Sequence, residues 1–525
     1  MIKQNIELAI HNITKFGDTD IFPFPIENKI IFDKKEEIIS LLEGFEAKNI
    51  TEVLSRLPPI NVHSVINSGY TGFRWGTQID PIWNIYYLYL VLCLAEKIEF
   101  KRPDKNKDIV FSYRYLPDSE GFLFDSSYGW GAFYKASKEK AKKHKYVLIC
   151  DISNFYQRIS HHKLENALKY LEDPSDAVTR IMAILSNFSN SYSYGLPIGG
   201  NASRILAELL LHSVDSLLLQ NEFDFTRFVD DYHIFVDSKE EAYSKLIYLS
   251  KVLISDYGLS LQKSKTRVMT SDEFLESTDN LPNDARRMMD ISVKFDPYSP
   301  TAEEDYEELK TNLQTVDILG LLNTELKKSL IHQSLVSRIV KAIKVLDVNS
   351  KIGAIASIIE NLETLYPVIP VIFITIKKLF EEFPNSFKGH IVQVLIALYQ
   401  KNSYILQTDN NLAYMVRILS EVNSEDTLRV LNSIYDNCKS PLVRKDIILA
   451  MAKFNNHSWI SNQIKEFRSM DSWCRRAMII ASFSLGDEGE HWRRHNKQQF
   501  SDFEKIVAGW VATKKQENIH WSVSL

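Results

Sequence analysis

The sequence predicts an α+β domain over residues 1–290 followed by an all-α domain of HEAT-like helical repeats over residues 291–525. Three observations carry this. In the first part, apolar runs of strand length alternate with helical patterns and turn signals. An acidic stretch from Thr278 to Asp305, holding Pro282, Pro297 and Pro300, then interrupts both patterns. Beyond it, apolar residues recur with a period near 3.6 almost everywhere.

Composition agrees with two globular domains. A chain of 525 residues exceeds one ordinary core. With 45% hydrophobic and 25% charged residues it has the balance of a folded protein. Only 18 Gly and 16 Pro exclude collagen-like and linker-rich chains. No apolar run reaches the ~18 residues of a membrane span. The opening MIKQNIELAI lacks a signal-peptide pattern. The expectation is a soluble cytoplasmic protein without membrane contact. Four scattered Cys with no CxxC pair argue against disulfides and a Cys-based zinc site. A net charge of −5 means that any nucleic-acid binding rests on local patches.

Taken in order, FRWGTQIDPIWN (Phe73–Asn84) and FSYRYLP (Phe111–Pro117) come first, the second a candidate strand holding Arg114. KASKEKAKKHK (Lys135–Lys145) carries six Lys, either a phosphate-binding helix face or a solvated one. YVLIC (Tyr146–Cys150) reads as a strand that ends in Asp151. Alone, such an Asp is a turn or helix cap. FTRFVDDYHIFVDS then sets Asp230 and Asp231 between two apolar runs, a hairpin with both carboxylates at its tip. Adjacent carboxylates flanked by core strands repel each other and lose solvation. A divalent cation such as Mg²⁺ offsets both costs. Asp151 and Asp230 each end an apolar strand, and neighbouring strands would bring them together to clamp a phosphoryl transfer.

Between them lies YGLPIGGNASRILAELLLHSVDSLL. Pro197 and Gly199–Gly200 make a loop, and a helix starts at Asn201. Ile205, Leu206, Leu209, Leu210, Val214 and Leu217 form its apolar stripe, with Arg204 and Glu208 as a surface i,i+4 pair. The glycines either admit a ligand to the backbone or simply lead into the helix. Downstream, GLSLQKSKTRVM reads as an edge strand bearing Lys263, Lys265 and Arg267. In the helical half, SPLVRKDIILA (Ser440–Ala450) and DSWCRRAMIIA (Asp471–Ala481) align 31 residues apart. Arg444 matches Arg475 there, and Lys445 matches Arg476.

These segments resemble a known set. Asp151 with Phe155–Tyr156 is similar to motif A of reverse transcriptases, GLPIGGNASRILAELLL to motif B, RFVDDYHIF to motif C and LSLQKSKT to motif D, in the same order. The form of motif B, the opening GDTDIFPFPIEN and the helical second half resemble the abortive-infection (Abi) and defence-associated reverse transcriptases of bacteria.

The resemblance implies reverse-transcriptase-like fingers and palm before the repeats. It implies that Asp151 and Asp230 hold Mg²⁺, with Mn²⁺ as an alternative, that the Ile152 carbonyl completes the ligand set, and that Asp231 stands beside them. Tyr156 falls at the steric gate against a ribose 2′-hydroxyl. Gly199, Gly200 and Ser203 would line the nascent base pair, Arg114 would grip the triphosphate and Lys265 would pass a proton to pyrophosphate. The implied activity is DNA synthesis from dNTPs in antiphage defence, by a homo-oligomer. Synthesis would be template-independent and primed from a protein hydroxyl, leaving single-stranded DNA attached. Two departures favour this over ordinary copying: Pro197-Ile198-Gly199 stands where templated enzymes carry Pro-Gln-Gly, and no thumb segment follows motif D. Of 24 Tyr none precedes Tyr70 or follows Tyr435, so a priming Tyr would sit on a loop of the folded body, or Ser or Thr would substitute. Tyr298 and Tyr306 in the boundary stretch are the mobile candidates, or they simply pack at the domain junction, and the priming residue stays open. The rival readings are RNA-templated synthesis on a dedicated non-coding RNA, a palm-type nucleotidyl cyclase, and a scaffold with an inactive palm.

Overall fold

The structure is a computed structural model and describes residues 2–19, 21–189, 192–279, 288, 313, 316–518, 521–523 and 525. Most of the acidic boundary stretch, including Tyr298 and Tyr306, lies outside the described residues. The protein is mixed helix and sheet, mostly helical. It forms two compact units: Met1–Asp20, Glu27–Asn61 and Thr77–Asn280 make the first, and Ile21–Ile26, Val62–Gly76 and Leu281–Leu525 the second.

Two strands, β1 (Val62–Ser68) and β2 (Gly72–Gln78), form a hairpin. The first unit is built on a four-stranded sheet of β3 (Tyr146–Asp151), β4 (Asp224–Phe228), β5 (Asp231–Val236) and β6 (Arg267–Thr270), in the order β4-β5-β3-β6. All neighbours are antiparallel. The β4–β5 hairpin expected around the Asp pair is present, with Asp230 in its turn and Asp231 opening β5. The strand expected from Leu259 to Lys265 is not: Leu261 makes one isolated bridge to Ile152, and the strand begins only at Arg267. The candidate strand Phe111–Pro117 is likewise reduced to isolated bridges beside it, Val110 with Arg227 and Tyr115 with Phe124.

Helices α1 (Ile2–Phe16), α2 (Pro81–Lys101), α3 (Trp130–Ala141), α4 (Asn201–Gln220) and α5 (Lys239–Val252) pack around this sheet. α2 is apolar on every face and correspondingly central, with α1 and α4 against it. α3 packs on β4, and α5 on β3 and β5. No helix among the described residues is long and apolar enough to cross a membrane.

In the second unit the helices α6 (Gln333–Ala342), α7 (Val348–Glu360), α8 (Ile369–Leu379), α9 (Asn385–Gln400), α10 (Asp409–Leu419), α11 (Glu425–Asn437), α12 (Pro441–Lys453), α13 (Ser472–Ala481) and α14 (Asp502–Glu517) follow one another. Alternate helices pack together. α6, α8, α10, α12, α13 and α14 form one contiguous row, and α7, α9 and α11 a second. The cations aligned 31 residues apart in sequence make corresponding contacts. Arg444 lies over the Tyr435 ring and Arg475 over Phe467, each on the element before its own helix. Lys445 lies over Trp473 and Arg476 over Phe503, each on the next helix of the row, past the intervening helices His457–Gln463 and Gly486–Asn496.

The middle of the row is held by a buried ion pair. Asp446 is fully buried. It accepts from Arg417 Nε at 2.6 Å and from Lys445 Nζ at 3.0 Å. Asp446→Ala strands two buried cations and is expected to cost about 3–5 kcal/mol, read as a lowered urea midpoint of the helical transition. An unchanged midpoint would show that the pair is not what joins α10 to α12.

Candidate active site

The site is assembled where β3 ends beside the β4–β5 turn. The β3–β5 register sets Asp151 directly opposite Asp231. Val229 takes φ 56°, the left-handed conformation that turns the chain between β4 and β5. The Ile152 N–H donates to the Asp230 carbonyl at 3.1 Å, locking the turn to the end of β3. Three carboxylates therefore share one corner of the sheet.

Lys265 reaches the same corner from the loop before β6. The Gln262 N–H donates to the Asp151 carbonyl at 2.7 Å, and Lys265 Nζ donates to Asp151 Oδ2 at 2.7 Å. Charge is not balanced here. Burial, then the negative charges of Asp230 and Asp151, push the Asp231 carboxyl up to about 7. Burial works against the Lys265 ammonium, but the bond and charge of Asp151, with Asp231 and Asp230 behind it, raise its pKa overall.

Among the described residues, no group of three or more His, Cys, Asp or Glu side chains stands arranged to hold a metal ion. Asp151 turns one oxygen to Lys265 instead. The donor types are nonetheless those of Mg²⁺ or Mn²⁺: the carboxylates of Asp151 and Asp230 and the Ile152 carbonyl are hard oxygens in a corner with surplus negative charge.

Tyr156 follows on the one-turn helix Phe155–Arg158. Its carbonyl accepts from the Leu196 N–H at 2.8 Å, so the motif B loop runs back along motif A. Burial drives its hydroxyl pKa well above the ordinary range, with Tyr113, Glu208 and Asp230 acting in the same direction and Arg204 against it. Tyr156 thus lies within electrostatic reach of the aspartate corner. Gly199 takes φ 105°, a conformation that costs a side-chain-bearing residue strain, and Gly200 caps α4 in extended backbone.

Three expectations meet a different placement. Arg114 is buried, pairing with Glu99 at 2.6 Å and donating to the Pro103 carbonyl at 2.9 Å. A guanidinium so held is not presented to a triphosphate. Ser203 is also buried, its hydroxyl facing that of Tyr87 inside the core. Glu208 is not on the surface. It is 1% exposed and accepts from Arg102, Arg227 and the Ser112 hydroxyl. Its expected partner Arg204 bonds Asn201 and lies over the Tyr113 ring. Of the basic stretch, Lys140 is tied to Asp224 at the start of β4 and Lys142 to Glu139.

Arg227, in the middle of β4, is the residue that sequence reasoning misses. It is fully buried. It donates to Asp215 Oδ1 and Oδ2 at 2.8 and 2.6 Å, and to Glu208 Oε2 at 2.9 Å. It also donates to the Val229 carbonyl at 3.0 Å, next to Asp230. A signal for it exists in the chain: an Arg inside FTRFV, and two carboxylates seven residues apart on one face of α4.

Comparison with known proteins adds the chemistry. Residues 103–321 match the family model of reverse transcriptase (RNA-dependent DNA polymerase). That span holds Asp151, Asp230, Asp231 and Lys265, so the chain carries a reverse transcriptase domain and is a reverse-transcriptase-like nucleotidyltransferase. No curated protein matches in sequence. Solved structures that match include telomerase from Candida albicans with a fragment of telomeric RNA, at 13% identity and TM-score 0.31, covering 64% of this chain and 66% of that one. Apo telomerase from Candida tropicalis matches at 11% identity and TM-score 0.30, covering 68% and 73%. At these scores neither structure informs the site.

Arg227→Leu leaves Glu208 and Asp215 with too little positive charge in the core. The expected loss is about 3–5 kcal/mol of stability, and Arg227→Lys, which lacks the planar fork, is expected to recover only part of it. Thermal melts of the three proteins check this, and a fully stable Leu variant would show that Arg227 does not hold β4 to α4.

Proposed function

We propose that the chain is a Mg²⁺-dependent DNA polymerase of reverse-transcriptase type acting in bacterial antiphage defence by abortive infection. The observation that carries the polymerase reading is the corner formed by Asp151, Asp230, Asp231 and Lys265 inside a reverse transcriptase domain. In this reading Asp151, Asp230 and the Ile152 carbonyl hold the metal, and Lys265 moves from Asp151 to the leaving pyrophosphate. A divalent cation held there would supply Lewis-acid activation of the attacking hydroxyl and would offset charge on the phosphate. Lys265 is protonated at neutral pH, as a proton donor must be. Tyr156 shapes the sugar pocket, and Gly199 and Gly200 the floor under the nascent base.

The finer reading is synthesis without a template, primed from a hydroxyl of the protein. Pro197-Ile198-Gly199 in motif B and the helices in place of a thumb support it. A polymerase without a thumb grips a duplex primer weakly, and a tethered hydroxyl has a large effective-concentration advantage. We also propose HEAT-like repeats for the helical half, supported by the packing of alternate helices. One second reading has an observation in its favour: the matched family is described as an RNA-dependent DNA polymerase, which favours a templated enzyme carrying its own RNA. Incubation with dNTPs and Mg²⁺, denaturation and protease digestion separate the two. DNA that leaves the denatured protein only after protease supports protein priming. DNA that separates without protease, with RNA co-purifying, supports the second reading.

Asp230→Ala is expected to abolish nucleotide incorporation while leaving the melting temperature equal or higher, because it relieves repulsion in the metal-free corner. Extension by this variant in a primer or dNTP-incorporation assay would overturn the site. Tyr156→Ala is expected to admit ribonucleotides by removing a ring from the sugar pocket. If the variant excludes them as well as the parent does, Tyr156 serves packing alone.

A further inference from the structure

The β1–β2 hairpin, within the second unit, has two unlike faces. Along β1, Val62, Ser64 and Ile66 are buried, and along β2 so is Gly76. α10 packs against β1 on this side. The fit is close: a Cβ on Gly76 would come within 2.9 Å of the Phe22 ring and 3.5 Å of Ile66. Strand alternation turns the other residues outward. Phe73 is 55% exposed, Trp75 51% and Val65 39%. His63 stacks on Trp75 with ring centroids 5.8 Å apart and planes 16° from parallel. Burial lowers the pKa of His63, so at neutral pH it stacks as an uncharged ring. Val65 of β1 and Phe73 of β2 stand on the same face as this stacked pair. The result is a face of three rings and one aliphatic side chain on a backbone anchored from behind; Arg74, on the alternate side of β2, donates from Nε to Ser68 Oγ at 2.9 Å.

We infer that the outer face of this hairpin, with Phe73 and Trp75 at its centre, is a base-stacking platform for single-stranded DNA. Two strands and two rows of side chains make a patch on the order of 200 Å², well short of the ~800 Å² per partner that a stable protein interface buries. Such an area suits one or two stacked bases, whose affinity comes from ring contact rather than extent. Single-stranded DNA is the product of the polymerase reading, on which the choice of ligand rests. The site itself lies outside residues 103–321, which carry the catalytic match.

The test uses the full chain and a synthetic oligothymidylate, with no dNTPs, so it does not depend on polymerase activity. Anisotropy of the labelled strand is expected to show binding that weakens roughly tenfold or more for each ring removed in Phe73→Ala and Trp75→Ala. Trp75→Phe is expected to stay close to the parent. Photocrosslinking the unaltered protein to an iododeoxyuridine strand is expected to label a peptide containing Phe73 or Trp75, a readout that does not depend on any variant folding. Unchanged affinity in the folded double variant, crosslinks confined to other segments, or preference for the same sequence as RNA or duplex would overturn the proposal. A drop in solution mass in the double variant with DNA affinity unchanged would overturn it too, assigning the face to self-association. Normal incorporation by that variant with lost oligonucleotide binding would support the platform separately from the catalytic reading.

Discussion

The aspartate corner depends on one buried cation. Arg227 lies at the centre of a strand with no access to solvent, and a guanidinium there is tolerated only if carboxylates surround it. Glu208 and Asp215 on α4 provide them, and the consequences spread from that requirement. Burial opposes the charge on Arg227, but Asp215 and Glu208 more than offset it and hold its pKa well above the ordinary value. Glu208 is shared with Arg102 at 2.7 Å, and Arg102 donates to the carbonyls of Ser112 and Tyr113 and to Glu99, which holds Arg114. β4, α4, the end of α2 and the segment around Ser112 are thereby fastened by three Arg and three carboxylates. Arg227 also holds the Val229 carbonyl, so the residue that organises the core fixes the turn that presents Asp230.

Beside this matched set stands a mismatched one. Asp151, Asp230 and Asp231 share a corner in which Lys265 is the cation bonded to a carboxylate, and the strain shows in the Asp231 carboxyl, pushed up to about 7. Glu208, though more deeply buried, is held below its ordinary value by Arg102 and Arg227 against the cost of burial. Asp215, the other carboxylate on Arg227, is raised by burial despite that cation. Depth and neighbouring charge therefore act together on each carboxylate, and at Asp231 both push the same way.

The second unit solves the same problem of buried charge differently. Asp446 is matched by Arg417 and Lys445; Lys445 also lies over Trp473, and Arg444, Arg475 and Arg476 lie over rings of neighbouring elements. Each cation so placed faces a ring on one side and retains its stem as packing surface. This makes charged residues part of the inter-helix contact and accounts for their recurrence 31 residues apart within otherwise apolar helices.

What was legible in the sequence is what local pattern dictates. Apolar runs of strand length in Tyr146–Cys150 and Phe225–Val236 determined the central strands, the Asp pair between apolar runs determined the hairpin tip, and the 3.6-residue period determined a helical second half. Carboxylates adjacent to core strands carry their own physical cost, so Asp151, Asp230 and Asp231 stood out without a structure. Tertiary structure alone decided the fate of residues whose environment is made by distant partners. Glu208 sits at a position that reads as surface until Arg102, 106 residues away, arrives to bury it. Arg114 reads as available until Glu99 claims it, and Ser203 as a groove residue until Tyr87 faces it. The stretch before β6 alternates like a strand, yet its backbone is held by the ends of β3 and by its own turn, and that leaves Lys265 free to reach Asp151. A pattern of side chains records which face is apolar; which charge meets which is settled only when the chain has closed around them.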